Sequence, residues 1–267
     1  MALALTGSLT LQDGITRESY LPRICYDNHY LDGTVTASSA QTDHPIDMAV
    51  DPFTDTAWIG TAGAGSWWAR VSKAGAKANY LGIVAWDLSG ITIQLQSSDD
   101  SGSTWDNVGD PVMTTDRVLV LLFDQEEHDD WRVLFTGSTP PEVINLSLGQ
   151  AMVAEGGFRP GFEPPRQARH NMIKNNTTDQ GHLVGRSVSK RGIQTRLQFE
   201  SVTESWVRDE WEPFVDHFET RPAYLVWSPV HWPDEVAYIW ADRDIDRPRY
   251  STTTRMGVSL SIKGIAR

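Results

Sequence analysis

The sequence has little cysteine, no long apolar run and no recognisable catalytic motif, and each absence excludes a class of protein. Cys25 is the only cysteine, so an internal disulfide cannot form, and we expect folding in a reducing cytosol. No apolar stretch approaches the ~18 residues that span a bilayer. The apolar start, Met1–Leu5, lacks basic residues and soon meets Gly7 and Ser8, unlike a signal peptide. We therefore expect no membrane insertion.

Catalytic signatures are missing as well. None of the seven histidines lies in an HExxH motif, and no serine occupies a G-x-S-x-G turn. The carboxylates are too numerous and too dispersed to single out a glycosidase pair. The expected class is a non-enzyme, with a polysaccharide-degrading enzyme as the catalytic alternative.

Basic residues are scarce in the first half of the chain. Residues 1–150 carry 20 Asp and Glu against 7 Lys and Arg, whereas residues 151–267 carry 15 against 16. Phosphate contacts need clustered Lys and Arg, so the acidic half is not expected to bind nucleic acid. The change in charge near residue 150 also indicates a domain boundary there.

The local patterns predict four parts: an N-terminal strand or arm (1–24), a first β domain (25–150), a linker or arm (151–166) and a second β domain (167–267). The partner of the strand-like N-terminal part stays open. The linker contains Gly156-Gly157, Pro160-Gly161 and Pro164-Pro165. Short β-branched or aromatic runs between turn residues predict the strands of the first domain: Tyr80–Trp86, Ile91–Gln96, Val118–Phe123, Trp131–Phe135 and Val143–Leu148.

The second domain has one helical pattern, which predicts a helix over about residues 202–219. Ser201 and Glu204 have capping-box spacing, and Thr220-Arg221-Pro222 ends the pattern. Strand-like runs surround it: Leu183–Val188, Thr195–Phe199, Ala223–Trp227, Val236–Ala241 and Met256–Ile262. The chain is therefore predicted to be mainly all-β, with a β-sandwich or barrel and one flanking helix in its second half.

Two polar segments of the first domain favour structural roles. Residues 98–105 match the Asp-box pattern S-x-D-x-G-x-T-W. This pattern predicts a tight hairpin in which the aspartate accepts hydrogen bonds from the turn amides and the tryptophan packs under the turn. The pattern positions are Ser98, Asp100, Gly102, Thr104 and Trp105. The acidic segment Gln125–Asp130 is expected to be a solvated hairpin tip, with a metal site through His128 as the alternative.

The order of motifs from Val35 to Trp105 resembles the discoidin, or galactose-binding-like, jelly roll. The segment Asp51–Trp58 is similar to a loop that in such domains often wraps a calcium ion. The resemblance therefore implies a calcium site at Asp51 and Asp55. Pro52 stands where the family favours glycine, which could alter the loop, and a turn held by Asp side chains without metal is favoured at least as much as the calcium site.

Trp67 and Trp68 are the candidate binding residues. Successive strand residues point to opposite faces, so one tryptophan should enter the core and the other point outward. An outward tryptophan would stack on a sugar ring or pack against a neighbouring domain or subunit. Because tryptophan is a frequent interface anchor, we expect the packing role, with sugar stacking as the alternative.

The second half resembles the tail-tube-like β-sandwich of distal-tail proteins from long-tailed bacteriophages. The resemblance lies in the strand Gly181–Val188, the helix Trp206–Phe218 and the strand Val258–Gly264. It implies a virion structural protein of the tail tip or baseplate, assembled in the host cytoplasm. Its implied partners are copies of itself in a ring of six, with subunit contacts around Arg243–Arg249, and other tail proteins such as the tube and hub. DNA would pass through the ring without specific binding.

We thus expect a ring-forming tail component whose jelly roll faces outward, for docking or for contact with a host glycan. The alternative is a carbohydrate-binding protein that recognises glycans by itself. Neither requires a cofactor other than the calcium ion considered above.

Overall fold

The computed structural model describes residues 3–5, 21–63 and 65–266, and for residues 3–5, 172, 190 and 191 it describes the backbone alone. Their strands form two eight-stranded sheets. This confirms the mainly-β class predicted from the sequence. Two single 3₁₀ turns, His29–Leu31 and Ile46–Ala49, belong to the first half.

The first sheet forms the jelly roll. Its main path runs β4-β9-β5-β8-β6-β7, with β1 beside β8 and β3 beside β5. The strands are β1 (Leu3–Leu5), β3 (Thr34–Ala37), β4 (Trp58–Ile59), β5 (Ser66–Ala85), β6 (Thr92–Ser98), β7 (Asp106–Met113), β8 (Val118–Thr136) and β9 (Glu142–Gly149).

Two long strands, β5 and β8, turn this sheet into a sandwich. Residues 66–72 of β5 pair with residues 130–136 of β8, and residues 80–84 pair with 118–122, with register shifts between the two stretches. The first stretch of the pair continues into β3, β6 and β7, and the second into β9, β4 and β1. Large side chains fill the space between the layers, including Trp58, Trp67, Phe123, Trp131 and Phe135.

The expected hairpin tip at Gln125–Asp130 is wrong, because β8 runs through it without a break. Residues 125–129 alternate between exposed and half-buried and Asp130 is buried, as on a strand that passes from one layer to the other. His128 does not need a metal to satisfy its ring: Nδ1 lies 2.8 Å from Asp99 Oδ2, and Nε2 lies 3.3 Å from Glu126 Oε2.

The second sheet has the order β10-β2-β13-β14-β16-β12-β11, with β15 beside β16. A helix covers one face of it and consists of α1 (Glu204–Trp206), a π-helical turn (Val207–Trp211) and α2 (Glu212–Phe218). No helix in the described part of the chain is long and apolar enough to cross a membrane. The strands are β2 (Arg23–Cys25), β10 (Ala151–Val153), β11 (Arg169–Thr177), β12 (Leu183–Thr203), β13 (Ala223–Val226), β14 (Val236–Ala241), β15 (Arg249–Tyr250) and β16 (Arg255–Ile265).

The helix begins later than its capping-box pattern predicts. Ser201 still belongs to β12, and Thr203 is the N-cap, its hydroxyl accepting from the Trp206 amide at 3.3 Å. Glu204 bonds Arg208 one turn further on instead of reaching back to Ser201. The Thr203 hydroxyl donates a hydrogen bond to Glu155 Oε2 at 2.7 Å. A residue distant in the sequence therefore helps to position the start of the helix.

Short strands at both borders of the jelly roll belong to the second sheet. Cys25 on β2 pairs directly with Ala151 on β10, and β2 also pairs with β13. The second sheet thus includes residues that the sequence assigned to the N-terminal arm, the jelly roll and the linker. Leu3–Leu5 pairs in parallel with β8, which gives the N-terminal strand a partner in the jelly roll.

A buried apolar cluster joins the jelly roll to the second sheet. Val118, Val120 and Leu122 point away from the jelly-roll core and meet Tyr224 and Tyr238. Because alternate residues of β8 enter the two clusters, both faces of this strand are buried. The molecule is therefore layered in the order jelly-roll outer layer, jelly-roll inner layer, second sheet and helix.

Candidate binding cleft

The Asp-box residues form a hairpin on the outer side of the jelly roll. Asp100 Oδ1 accepts from the Thr104 amide at 2.9 Å and from the Ser98 hydroxyl at 2.7 Å, and Oδ2 accepts from the Thr104 hydroxyl at 2.7 Å. Gly102 has φ +82°, which a side chain would strain. The carboxylate is therefore fully engaged in holding the turn.

Trp105 packs beside this turn between two arginines. Its Nε1 donates to Gly102 O at 3.0 Å, and the Arg132 and Arg70 guanidinium carbons lie 4.1 and 5.5 Å from its ring centroid. Arg70 in turn binds Asp130 Oδ1 at 2.8 Å. Cations that already lie over the indole leave little ring surface for a sugar.

The two adjacent tryptophans point to opposite sides of β5. Trp67 is fully buried, and its Nε1 donates to Thr61 O at 2.8 Å. Trp68 is half-buried on the outer layer, and its amide bonds the Ser38 hydroxyl. Trp67 is therefore a core residue that no ligand reaches, and Trp68 has only part of its ring in solvent.

The loop after Val50 is closed by Asp51 itself. Asp51 Oδ1 accepts from the Phe53 amide at 2.8 Å, and Thr56 Oγ1 lies 2.8 Å from Asp51 Oδ2. Among the described residues, no three His, Cys, Asp or Glu side chains converge into a metal-holding group. Calcium binding by Asp51 and Asp55 therefore stays a prediction.

A cleft of about 810 Å³ is lined mainly by the second sheet and its loops, with Arg117 contributed by the jelly roll. This volume falls within the range of small-ligand sites in proteins. None of the candidate residues singled out in the sequence lines it. Its walls come from the residue before β8, the segment before β11 and the start of that strand, the middle of β12, the loop before β14 with part of β14, and the end of β16. They include Arg117, Arg166, Arg169, Trp232, Trp240 and Ile265.

Two tryptophans supply the apolar surface of the cleft. Trp232 lies in the loop before β14 and is 53% exposed, an unusual exposure for so large an apolar ring. Trp240, on β14, is half-buried and packs at the rim of the cluster between the two sheets. The cleft thus combines a fixed aromatic wall with an accessible aromatic ring.

Three arginines line the same cleft. Arg117 Nε is buried and has no hydrogen-bond partner among the described residues. Arg166 and Arg169 are exposed, and in the described part of the chain neither side chain forms an ion pair or hydrogen bond. Two carboxylates also line the cleft, but Glu235 is already bonded to Trp227 Nε1 at 3.0 Å, leaving Asp234 as the exposed acid.

A second cavity, of about 730 Å³, separates the helix from the loop after β14. Acidic side chains dominate it, among them Glu212, Asp216 and Asp244. Asp242 and Asp246 are paired with Lys263 and Arg196, so part of this charge is neutralised within the fold. It lacks the exposed aromatic ring that marks the first cleft.

No protein-family model and no curated protein matches the sequence. Among solved structures, chitosan-binding module 1 of a chitosanase/glucanase from Paenibacillus sp. IK-5 is similar, with 20% identity and a TM-score of 0.42 over 46% of this chain and 98% of that one. A CBM32 module from Clostridium perfringens has 13% identity and a TM-score of 0.41 over 46% and 99%. A Ruminococcus gnavus GH29 fucosidase has 11% identity and a TM-score of 0.43 over 47% and 27%. Likenesses this distant leave the function to be argued from the chain itself.

Proposed function

We propose that the protein is a non-catalytic carbohydrate-binding protein whose saccharide lies in the cleft against Trp232. The observation that carries this proposal is the exposed Trp232 ring in a cleft of about 810 Å³ that Trp240 also lines. An indole presents a broad apolar face on which the C–H face of a sugar ring packs, while its N–H stays available for a hydroxyl. The surrounding polar groups would orient the sugar.

Isothermal titration with the oligosaccharides selected on a glycan array tests this proposal. Trp232→Ala should weaken binding by about tenfold or more, since aromatic anchors dominate such sites. Trp86→Ala is the matched control, because Trp86 is 45% exposed but lies on the jelly roll outside the cleft. Equal losses in both variants, or full binding by Trp232→Ala, would reject the cleft as the site. No saccharide should be turned over.

A ring-forming phage tail component is the second candidate, and an exposed apolar surface on the β11–β12 ribbon favours it. Ile173 and Val188 are opposite each other in the pairing of these strands and are 51% and 54% exposed. Val184 is 67% exposed. Exposed apolar surface of this kind on an edge ribbon is typical of a contact with another chain.

Mass photometry over a range of concentrations tests the second candidate. The wild type should form a closed ring, and Val188→Ser with Ile173→Ser should shift it to the monomer without changing its melting temperature. A wild-type protein that remains monomeric when mixed with tail-tube protein would contradict it. The virion-tail location and the partner proteins belong to this second proposal.

A further inference from the structure

We infer that the cleft selects an acidic saccharide, one whose sugar rings carry carboxylate or sulfate groups. This inference rests on the proposed function and adds the chemical class of the ligand. The relevant observation is the juxtaposition of three arginines with two tryptophans in one cleft of an otherwise acidic protein.

The arginines of the cleft are available to a ligand, unlike several other arginines among the described residues. Arg70, Arg196 and Arg255 are committed to carboxylates within the fold. In the described residues Arg166 and Arg169 have no such partner, and Arg117 Nε is buried with no acceptor. A buried donor without an acceptor is unfavourable, so an anion bound beside Arg117 would relieve that penalty.

The shape of the guanidinium group narrows the choice of anion. Its planar fork of N–H donors matches two oxygens of one carboxylate or sulfate, and such charge-assisted pairs are stronger than neutral hydrogen bonds. In the cleft, these guanidinium donors line the same space as the exposed indole ring of Trp232. An acidic sugar residue matches both groups, because its C–H face can pack on the indole and its anionic group can bind the guanidinium donors.

A single-stranded nucleic acid also combines rings with anions, but the cleft fits it less well. A nucleic acid needs a basic track along several phosphates, and here Asp234 and Glu235 interrupt the basic wall. The protein carries a net charge of −12, which repels a polyanion with one charge per nucleotide. A short saccharide with only a few charges is repelled less.

The ligand would contact both halves of the molecule. Arg117 immediately precedes β8 of the jelly roll, whereas Arg166 precedes β11 of the second sheet and Arg169 is its first residue. Neither half alone has all three arginines. The acid preference therefore depends on the packing between the two halves.

Matched pairs of ligands test the inference on the full-length protein. The probes are oligogalacturonate and its carboxyl-reduced form, and a sulfated oligosaccharide and its desulfated form, each titrated by calorimetry. The acidic member of at least one pair should bind about tenfold or more tightly, and added salt should reduce that preference. The two pairs distinguish a carboxylate from a sulfate.

Single substitutions test whether the arginines of the cleft cause the preference for an acidic ligand. Arg166→Gln and Arg169→Gln should each weaken the acidic ligand by about fivefold while leaving its neutral partner unchanged, since each removes one charged contact. Arg117→Lys keeps the charge but removes the fork. Arg243→Gln is the control, because Arg243 is exposed and lies outside the cleft. Circular dichroism of each variant shows that it is folded.

The failures of the two proposals are distinguishable. Equal binding of acidic and neutral partners, both lost in Trp232→Ala, would overturn the acid preference and leave carbohydrate binding in place. Absence of binding to every saccharide by the folded protein would overturn both. Tighter binding of a single-stranded oligonucleotide than of any saccharide, lost in Arg169→Gln, would overturn the choice of ligand class.

Discussion

The Tyr224 hydroxyl on β13 donates a hydrogen bond to Asn145 Oδ1 on β9 at 2.8 Å. Both residues are buried, and they belong to different sheets. A buried amide oxygen of the jelly roll thus has its hydrogen-bond donor in the second sheet. Around it the packing is apolar, which makes the boundary between the two halves resemble the interior of one domain.

Removing this hydroxyl should destabilise the whole molecule. Tyr224→Phe keeps the ring but leaves Asn145 Oδ1 without its donor, so we expect a loss of about 1–3 kcal/mol in the free energy of unfolding. Urea denaturation followed by tryptophan fluorescence measures it. Tyr250→Phe, on an exposed ring, is the control and should change stability little. Two separate transitions in the wild type would contradict a shared core.

A methyl group at Gly82 should disturb the same contact from the other side. A Cβ at Gly82 would lie 2.6 Å from Tyr224 Cε2, well inside van der Waals contact. Gly82→Ala should therefore destabilise the protein by about 1–3 kcal/mol through overpacking. At Gly157 a Cβ would meet nothing within 4 Å, so Gly157→Ala is a matched control. If Gly82→Ala leaves the melting temperature unchanged, the two sheets can separate easily enough to accommodate the methyl group.

Cys25 should be chemically silent in the folded protein. It is fully buried in the cluster between the sheets, and this burial raises the pKa of its thiol to about 12. Little thiolate exists at pH 8, so Ellman's reagent should react only as the protein unfolds. Ser251→Cys adds an exposed thiol and should react at once. Immediate reaction of the wild type would mean that the two halves open without global unfolding.

The Asp-box hairpin should lose stability in acid. The Thr104 hydroxyl, the Thr104 amide and the Ser98 hydroxyl hold the pKa of Asp100 well below its usual range. The folded form therefore binds a proton less readily than the unfolded chain, whose aspartates titrate near ~3.9. The stabilisation is present above that pH and disappears as the pH falls through the lower, folded-state pKa.

Melting temperatures measured between pH 7 and pH 2 test this pH dependence. Asp100→Asn should lower the melting temperature at neutral pH and flatten its fall in acid. Asp110→Asn, on the strand that follows the hairpin, controls for the loss of one negative charge. An unchanged acid profile in Asp100→Asn would show that the carboxylate does not hold the turn.

Much of the fold could be predicted from local patterns. The run Tyr80–Trp86 lies almost wholly in β5, and the aromatic spacing from Val207 to Phe218 predicted the helix, because periodic burial leaves a periodic sequence. Strands β2 and β10 were missed because three residues are too few to show a period. Their partners lie far away in the sequence.

One signal in the sequence indicated more than a strand. Val118–Phe123 is a run of six apolar residues, and an unbroken run fits a strand that is buried on both faces. The run predicted the strand, and three of its residues, Val118, Val120 and Leu122, also contact the second sheet. The cleft had no such signal, since its lining comes from positions between Arg117 and Ala266 that only the tertiary fold brings together.

The pairing of Cys25 with Ala151 places residues 26–150, which hold every strand of the jelly roll except β1, where an ordinary hairpin would have its connecting loop. The two ends of this segment therefore leave the second sheet roughly 5 Å apart, the spacing of neighbouring strands. Any module with adjacent termini and a flat apolar face for Tyr224 and Tyr238 would be an acceptable substitute at this position. An exchanged module would leave the pairing of β2 with β10 unchanged, and the second sheet would keep its strand order.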